Sequence, residues 1–167
     1  MNGALNEWRL AVAEQLRERG LNVVTAMEGA RTARWREAVV AVSLSGVVCA
    51  AGGFQDYLGV WTDPASGKER ELYGREMELT LALDVFAPRD GGESVCQRAA
   101  ETVTECLVCR GAAGVAALEV RAGRVEFLET EGLYRQEISC RCRAWLAARM
   151  DDEAGAFVDF EVKGRLK

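Results

Sequence analysis

The chain has no histidine, only two prolines and no apolar run long enough to cross a membrane. Histidine is the commonest general base in enzymes. Its absence therefore excludes the usual catalytic triads and most mixed zinc sites. A membrane-spanning helix needs about 20 consecutive apolar residues, so we expect no membrane partner. The opening residues, MNGALNEWRL, lack a basic region followed by an apolar one, so we expect no secretory signal.

Positive charge is also in short supply. The chain carries 21 Lys and Arg against 26 Asp and Glu, a net charge of -5. This balance argues against broad electrostatic binding to nucleic acid, although it leaves room for a local basic patch. The 167 residues, 49% hydrophobic and 28% charged, are typical of one soluble globular domain.

Six cysteines are present, and without an export signal they are expected to remain reduced. In ISCRCRAWL the apolar residues recur with a period of two, which places Cys140 and Cys142 on the core face of a strand. Cys106 and Cys109 lie three apart on a predicted helix. Four such thiolates are a possible zinc set, but structural zinc sites usually use turns. Core packing is therefore preferred, with no metal or cofactor, and a zinc-binding regulatory module is the weaker alternative.

Hydrophobic periodicity predicts an α+β fold. Residues 4–19 have the pattern of an amphipathic helix, and Ser94–Arg110 that of a second. Between them, REMELTLALDVFAP alternates as a strand, and Gly46 marks a bulge in an earlier β-prone run. Val115–Leu128 is predicted as an apolar hairpin of two strands. We expect an antiparallel or mixed sheet with two helices packed on one face, a long hairpin arm and a C-terminal strand.

Breaker residues divide the chain into two parts. Residues 1–150 are predicted to form a single α+β domain, from which 52–71 protrudes as an arm or loop after Gly52-Gly53. Residues 151–167 are predicted to be a linker, DDEAG, followed by a C-terminal strand or arm. The apolar residues of the REMELTLALDVFAP strand are predicted to be core and to pack against either the first helix or the second. These strand residues are Met77, Leu79, Leu81, Leu83 and Val85.

Arginines on one strand match acidic residues on another. Arg141 and Arg143 alternate with the cysteines. In the same way, Glu76, Glu78 and Asp84 alternate with the apolar residues of the REMELTLALDVFAP strand. If the two strands are neighbours, these residues form cross-strand ion pairs. The alternative is a solvated charged face.

The arm (52–71) and the C-terminal tail of the chain (157–167) both carry apolar residues. Such residues usually mark contact surfaces when they are exposed. The tail alternates Val158, Phe160 and Val162 with charged residues, the pattern of a strand that can pair with a sheet edge. It either contacts a neighbouring subunit or returns to its own sheet. The candidate contact residues are Phe54, Tyr57, Trp61, Arg141, Arg143, Phe157, Val158, Phe160 and Val162.

The order of these elements resembles that of a known family. A strand containing Asp84, Val85 and Phe86 passes through Pro88 into the helix Ser94–Arg110, and the sequence closes on FVDFEVKGRLK. This resembles the small tail-terminator (tail-completion) proteins of long-tailed bacteriophages and phage-derived contractile particles. The likeness covers most of the chain in element order.

The resemblance implies a structural virion protein and not an enzyme. Such a protein forms a homo-oligomeric ring, six-fold by expectation, which stops tail-tube growth and joins the tail to the head side. The implied partners are copies of itself, tail-tube and sheath proteins, and head–tail connector proteins. The implied location is the tail or neck of a virion or prophage-encoded particle, assembled in the bacterial cytoplasm. The alternative within this class is another tail, connector or baseplate morphogenesis subunit.

Overall fold

The fold was analysed in a computed structural model, which describes residues 3–25, 35–49, 56–151 and 156–165. Two helices and seven strands follow one another along the chain: α1 (Ala4–Arg17), β1 (Asn22–Val24), β2 (Val39–Cys49), β3 (Tyr57–Thr62), β4 (Glu69–Pro88), α2 (Glu93–Arg110), β5 (Ala117–Leu128), β6 (Leu133–Asp151) and β7 (Ala156–Lys163). A 3₁₀ turn, Arg89–Gly91, leads from β4 into α2. The predicted α+β class, with a mixed sheet and two helices, is confirmed.

One sheet contains all seven strands, in the order β1-β2-β4-β6-β5. β3 pairs with the first residues of β4, and β7 pairs with the last residues of β6. β1 runs parallel to β2, and every other pairing is antiparallel. The sheet therefore has two levels: β1, β2 and β5 flank the central strands at one level, and β3 and β7 flank them at the other.

β4 and β6 form the centre of this sheet. Their register runs without a break from Leu72 opposite Arg149 to Pro88 opposite Leu133. Both strands alternate apolar and polar residues, so one face is buried beneath the helices while the other stays open. This long pairing fixes which side chains meet across the open face.

The core lies between the sheet and the two helices. α1 contributes Trp8, Val12 and Leu16, which are buried together with the helix face of α2. The predicted strand face is confirmed, since each of its members is 0–2% exposed in the same cluster: Met77, Leu79, Leu81, Leu83 and Val85. Cys140 and Cys142 also lie in this core, as the period of two predicted.

Side-chain hydrogen bonds hold α1 against the loop that follows α2. Trp8 Nε1 donates to the Ala112 carbonyl at 2.9 Å. Gln15 uses both ends of its amide: Nε2 donates to the Gly111 carbonyl at 3.0 Å, and Oε1 accepts from the Ala113 N–H at 2.6 Å. Because these backbone groups are otherwise outside regular structure, the helix satisfies polar groups as well as covering the sheet.

The predicted arm is a β-hairpin over the residues that the structure describes. β3 pairs with β4 from Thr62 opposite Glu69 back to Tyr57 opposite Tyr73. Asp63 closes the turn, since its carboxylate accepts from the Ala65 N–H at 3.0 Å and from the Ser66 hydroxyl at 2.7 Å. Residues 52–55, with Gly52-Gly53 and Phe54, lie outside the described residues.

The C-terminal segment is built into the same sheet. β7 pairs with β6 from Asp151 opposite Ala156 to Trp145 opposite Lys163. Val162 packs against the main core, and Gly164 lies so close to the Gly114 carbonyl that a Cβ there would be 2.3 Å from its oxygen. The C-terminal tail was predicted either to contact a neighbouring subunit or to return to its own sheet. In the structure it pairs with its own sheet.

Register shifts occur in both β2 and β5. The register of β2 against β4 shifts between Leu44 and Gly46, which confirms the predicted bulge. The predicted hairpin at Val115–Leu128 is wrong, because β5 is one strand with a register shift between Ala122 and Val125. Gly123 lies in this shift and its carbonyl accepts from Gln136 Nε2 at 2.8 Å. The residues that suggested a turn, between Ala122 and Val125, form a bulge within the strand.

Candidate subunit-contact surfaces

The open face of the sheet carries a row of ion pairs. Because β4 and β6 are neighbours, Arg143 Nε reaches Glu76 Oε1 at 2.9 Å, and Arg141 lies 3.7 Å from Glu78. Arg141 also lies 3.4 Å from Glu119 on β5. The proposed cross-strand pairs of Arg141 and Arg143 are therefore present. They are half-exposed, so each is expected to contribute at most about 1 kcal/mol to stability.

Asp84 pairs with an arginine that the sequence pattern did not indicate. Arg135 donates to Asp84 Oδ1 through two nitrogens, at 2.8 and 2.6 Å. These side chains are 35% and 24% exposed, so the pair is better shielded than the others. Its hydrogen bond raises the pKa of Arg135. The sequence does not reveal this pair because it depends on the register of β4 and β6. Arg135 is directly opposite Phe86 and reaches Asp84 diagonally.

These pairs leave the open face largely neutralised within one chain. Arg121 and Glu119 pair along β5 at 2.7 Å, and so do Arg124 and Glu126 at 3.0 Å. A face that satisfies its own charges presents fixed polar groups without a strong field of either sign. It therefore offers little attraction for a strongly charged partner.

Two of the three predicted contact residues of the arm lie in the described residues, and they differ in exposure. Tyr57 is 48% exposed and its ring lies 5.5 Å from that of Tyr73. Trp61 is half-buried, with the Lys163 ammonium 5.9 Å from its ring centroid. Trp61 thus links the arm to the C-terminal segment inside one chain, while about half of Tyr57 stays exposed. Phe54 lies outside the described residues.

The predicted contact residues of the tail lie in β7. Phe157 is opposite Met150 and Phe160 is opposite Ala148, with Val158 at the register shift between them. Val162 is half-buried against the core and lines a groove with Glu7, Trp8 and Ala113. This strand has one edge on β6. A role in contacts between subunits stays a prediction for these residues.

A cavity of about 220 Å³ opens at the base of the hairpin arm, on the helix side of the sheet. Its lining is mainly apolar, with one ion pair between Arg75 and Asp56 at 2.7 Å, whose hydrogen bond raises the pKa of Arg75. The other lining residues are Cys49, Tyr73, Gly74, Leu146 and Ala148. The cavity leaves an apolar recess where the arm meets the domain.

The cysteines do not converge as the zinc alternative requires. Cys106, Cys140 and Cys142 are buried, whereas Cys109 is exposed, so the two helical thiols do not share the core face. The Sγ atoms of Cys140 and Cys142 lie 3.5 Å apart. Their hydrogen bond and then burial raise the pKa of Cys140. Within the described residues, no group of three or more His, Cys, Asp or Glu is placed to hold a metal ion.

Large exposed apolar residues gather at the two lateral edges of the sheet, a feature missed from the sequence except at Tyr57. At the β2–β3 edge they are Val47, Val48, Tyr57 and Val60, at 44–66% exposure. At the β5 edge they are Leu118 and Phe127, at 44% and 37% exposure, and Val108 on the neighbouring helix α2 is 64% exposed. Exposed apolar groups that cluster in this way usually mark contact surfaces.

The chain matches no protein-family model, and no curated protein matches it. In the parts of the chain that the structure describes, neither helix has the length and apolar character that a membrane span requires.

Proposed function

We propose that this chain is a structural subunit of a long-tailed phage or a phage-derived particle, which caps the tail tube as a ring and joins the tail to the head side. One observation carries the proposal: the element order on which the resemblance rests is present in the fold. β4 passes through Pro88 and one 3₁₀ turn into α2, as hydrophobic periodicity predicted.

Surface features favour an assembly protein. The β3–β4 hairpin extends the sheet beyond the level of β2 and β5, and it carries exposed apolar residues, Tyr57 and Val60. A hairpin of this kind reaches a neighbouring subunit without disturbing the core beneath α1 and α2. The exposed apolar groups at both lateral edges give one copy two different surfaces for contact with others.

Native mass measurement and negative-stain imaging of the full chain test the proposal. We expect closed rings of one size, whose central opening is visible end-on, in addition to any free monomer. Mixing the rings with tail tubes polymerised from the tube protein of the same particle is expected to place one ring at a tube end.

A species that stays monomeric at high concentration and does not bind tube ends would contradict the proposal. Rings that bind along the tube or at the baseplate end would instead favour the alternative of another morphogenesis subunit. A zinc content of one ion per purified chain would favour the regulatory module.

A further inference from the structure

β2 is an unusual edge strand. Its eleven residues, VVAVSLSGVVC, include no charge and no proline, two of the devices that protect a sheet edge, and its one irregularity is the bulge between Leu44 and Gly46. β1 covers only Val39–Ala41, and no other described strand pairs with the outer edge of β2. An uncharged edge of this length is a template for another strand, so it is expected to be covered in the working protein.

The opposite edge of the sheet presents an apolar group at the same level. Val47 is opposite Leu79 on β4, Leu79 is opposite Cys142 on β6, and Cys142 is opposite Ala117 on β5. Leu118, next to Ala117, is the extra residue in a register shift and is 44% exposed. The exposed groups Val47 and Leu118 therefore stand at the two ends of one row across the sheet.

Strand direction is compatible with joining these edges. β2, β4, β6 and β5 are antiparallel in succession, so β5 runs antiparallel to β2. Rotation about an axis along the strands preserves their direction. β5 of one copy placed beside β2 of the next is then antiparallel to it, and the sheet continues without a change of pattern.

Charge does not oppose such a contact. The charged side chains of β5 pair among themselves, as Arg121 with Glu119 and Arg124 with Glu126, and β2 has none. Val47 and Leu118 lie at the same height along the strands, so a head-to-tail contact between them shifts each copy little along the rotation axis. Without such a shift, successive copies close into a ring and do not form a filament.

We propose that a second copy of this chain covers the edge of β2, with its β5 antiparallel to β2 and its Leu118 against Val47. The inference rests on the proposed function, since it names the contact by which the ring closes.

Disulfide trapping tests the contact directly. The exposed Cys49 and Cys109 are replaced by Ser, which leaves the four buried thiols in place. In this background the double variant Val47→Cys with Leu118→Cys is oxidised with a mild disulfide oxidant. We expect a ladder of covalent multimers up to the ring size. The matched control, Val47→Cys with Phe127→Cys, places the second thiol at the other end of β5 and is expected to give no ladder.

Complementation provides a second measurement. Val47→Asp and Leu118→Asp each damage one edge, and each is expected to weaken self-association on the order of tenfold or more while the circular dichroism spectrum stays native. Mixing the two variants restores one intact contact per pair, because each copy keeps the edge that the other lacks. The mixture is therefore expected to form dimers and no larger species.

The outcomes separate this inference from the proposed function. Rings without a Val47–Leu118 ladder would overturn the contact and leave the ring intact. Dimers cross-linked by Val47→Cys alone would also overturn it, because they indicate a two-fold contact. A monomer with no ladder at high concentration, and with no binding to tube ends, would overturn both.

Discussion

Gly74 lies in β4 where the two central strands approach too closely for any side chain. A Cβ at this position would be 2.0 Å from the Leu146 carbonyl oxygen and 2.9 Å from Ala147 Cα. Both are backbone atoms, which no rotamer change can move aside. The residue therefore sets the separation of β4 and β6 at the level where β3 and β7 join them.

Gly74→Ala is expected to destabilise the protein by about 1–3 kcal/mol or more, because overpacking against backbone forces the strands apart. Gly46→Ala is the matched control in a strand: the nearest atoms to its Cβ are 3.6 Å away, an ordinary contact. Urea unfolding of both variants measures the difference. Equal stability of the two would contradict the close approach at Gly74.

The buried thiol of Cys96 makes the free energy of unfolding depend on pH. Its side chain is fully buried in α2, and burial followed by the charge of Glu93 raises the pKa of the thiol from 9.0 to about 11. Between these values the unfolded chain loses a proton that the folded chain keeps. The contribution to stability is therefore complete below about pH 9 and is lost as the pH rises through about 11.

Cys96→Ala is expected to reduce the slope of unfolding free energy against pH over this window, even though the lost contacts lower stability at every pH. Cys109→Ala, at an exposed position of the same helix, controls for loss of a cysteine. Denaturant unfolding at intervals from pH 8 to 11 measures both slopes. An unchanged slope in Cys96→Ala would show that this thiol does not carry the dependence.

At the scale of elements, β7 is expected to be necessary for the stability of the domain. It supplies the outer partner of β6 from Trp145 to Asp151, and it places Val162 on the core and Gly164 against Gly114. A chain ending at Asp152 is expected to lose on the order of 3 kcal/mol or more, which lowers Tm by about 6–12 °C. Thermal unfolding followed by circular dichroism measures the loss.

A chain ending at Arg165 keeps β7 and Gly164 and serves as the control. If the chain ending at Asp152 keeps the full Tm but does not form the proposed rings that the full chain forms, the segment acts between subunits instead. That result would restore the assembly-arm interpretation of the tail.

Periodicity alone predicts the elements that have one buried face. The alternation from Met77 to Val85 specifies β4, and the helical spacing of Trp8, Val12 and Leu16 specifies α1, because burial on one side leaves a regular pattern. The extent of β4 was missed: it begins at Glu69, since pairing with β3 continues the strand where its sequence turns polar. The sequence pattern predicted two strands separated at Gly123 in place of the single strand β5. A glycine in a bulge and a glycine in a turn cannot be distinguished by sequence pattern.

At the scale of the whole molecule, the candidate contact surfaces were predicted only in part. Charge alternation indicated the pairs of Arg141 and Arg143, but Arg135 was missed because its partner is known only from register. The lateral edges were missed because Val47 and Leu118 lie more than seventy residues apart in the chain, as their numbers show. Only the strand order shows that they occupy opposite ends of one row.

The long ladder between β4 and β6 has a mechanical consequence. Strands of 20 and 19 residues at about 3.3 Å per residue form a bar about 60 Å long. Their hydrogen bonds lie across the strands, so tension applied to opposite ends of the two strands loads all of them together in shear. A pull across the sheet would instead open them one pair at a time. The molecule is therefore stiff and strong along the strands and weaker across them, and in the proposed ring, with the strands along its axis, the strong direction is the axial one.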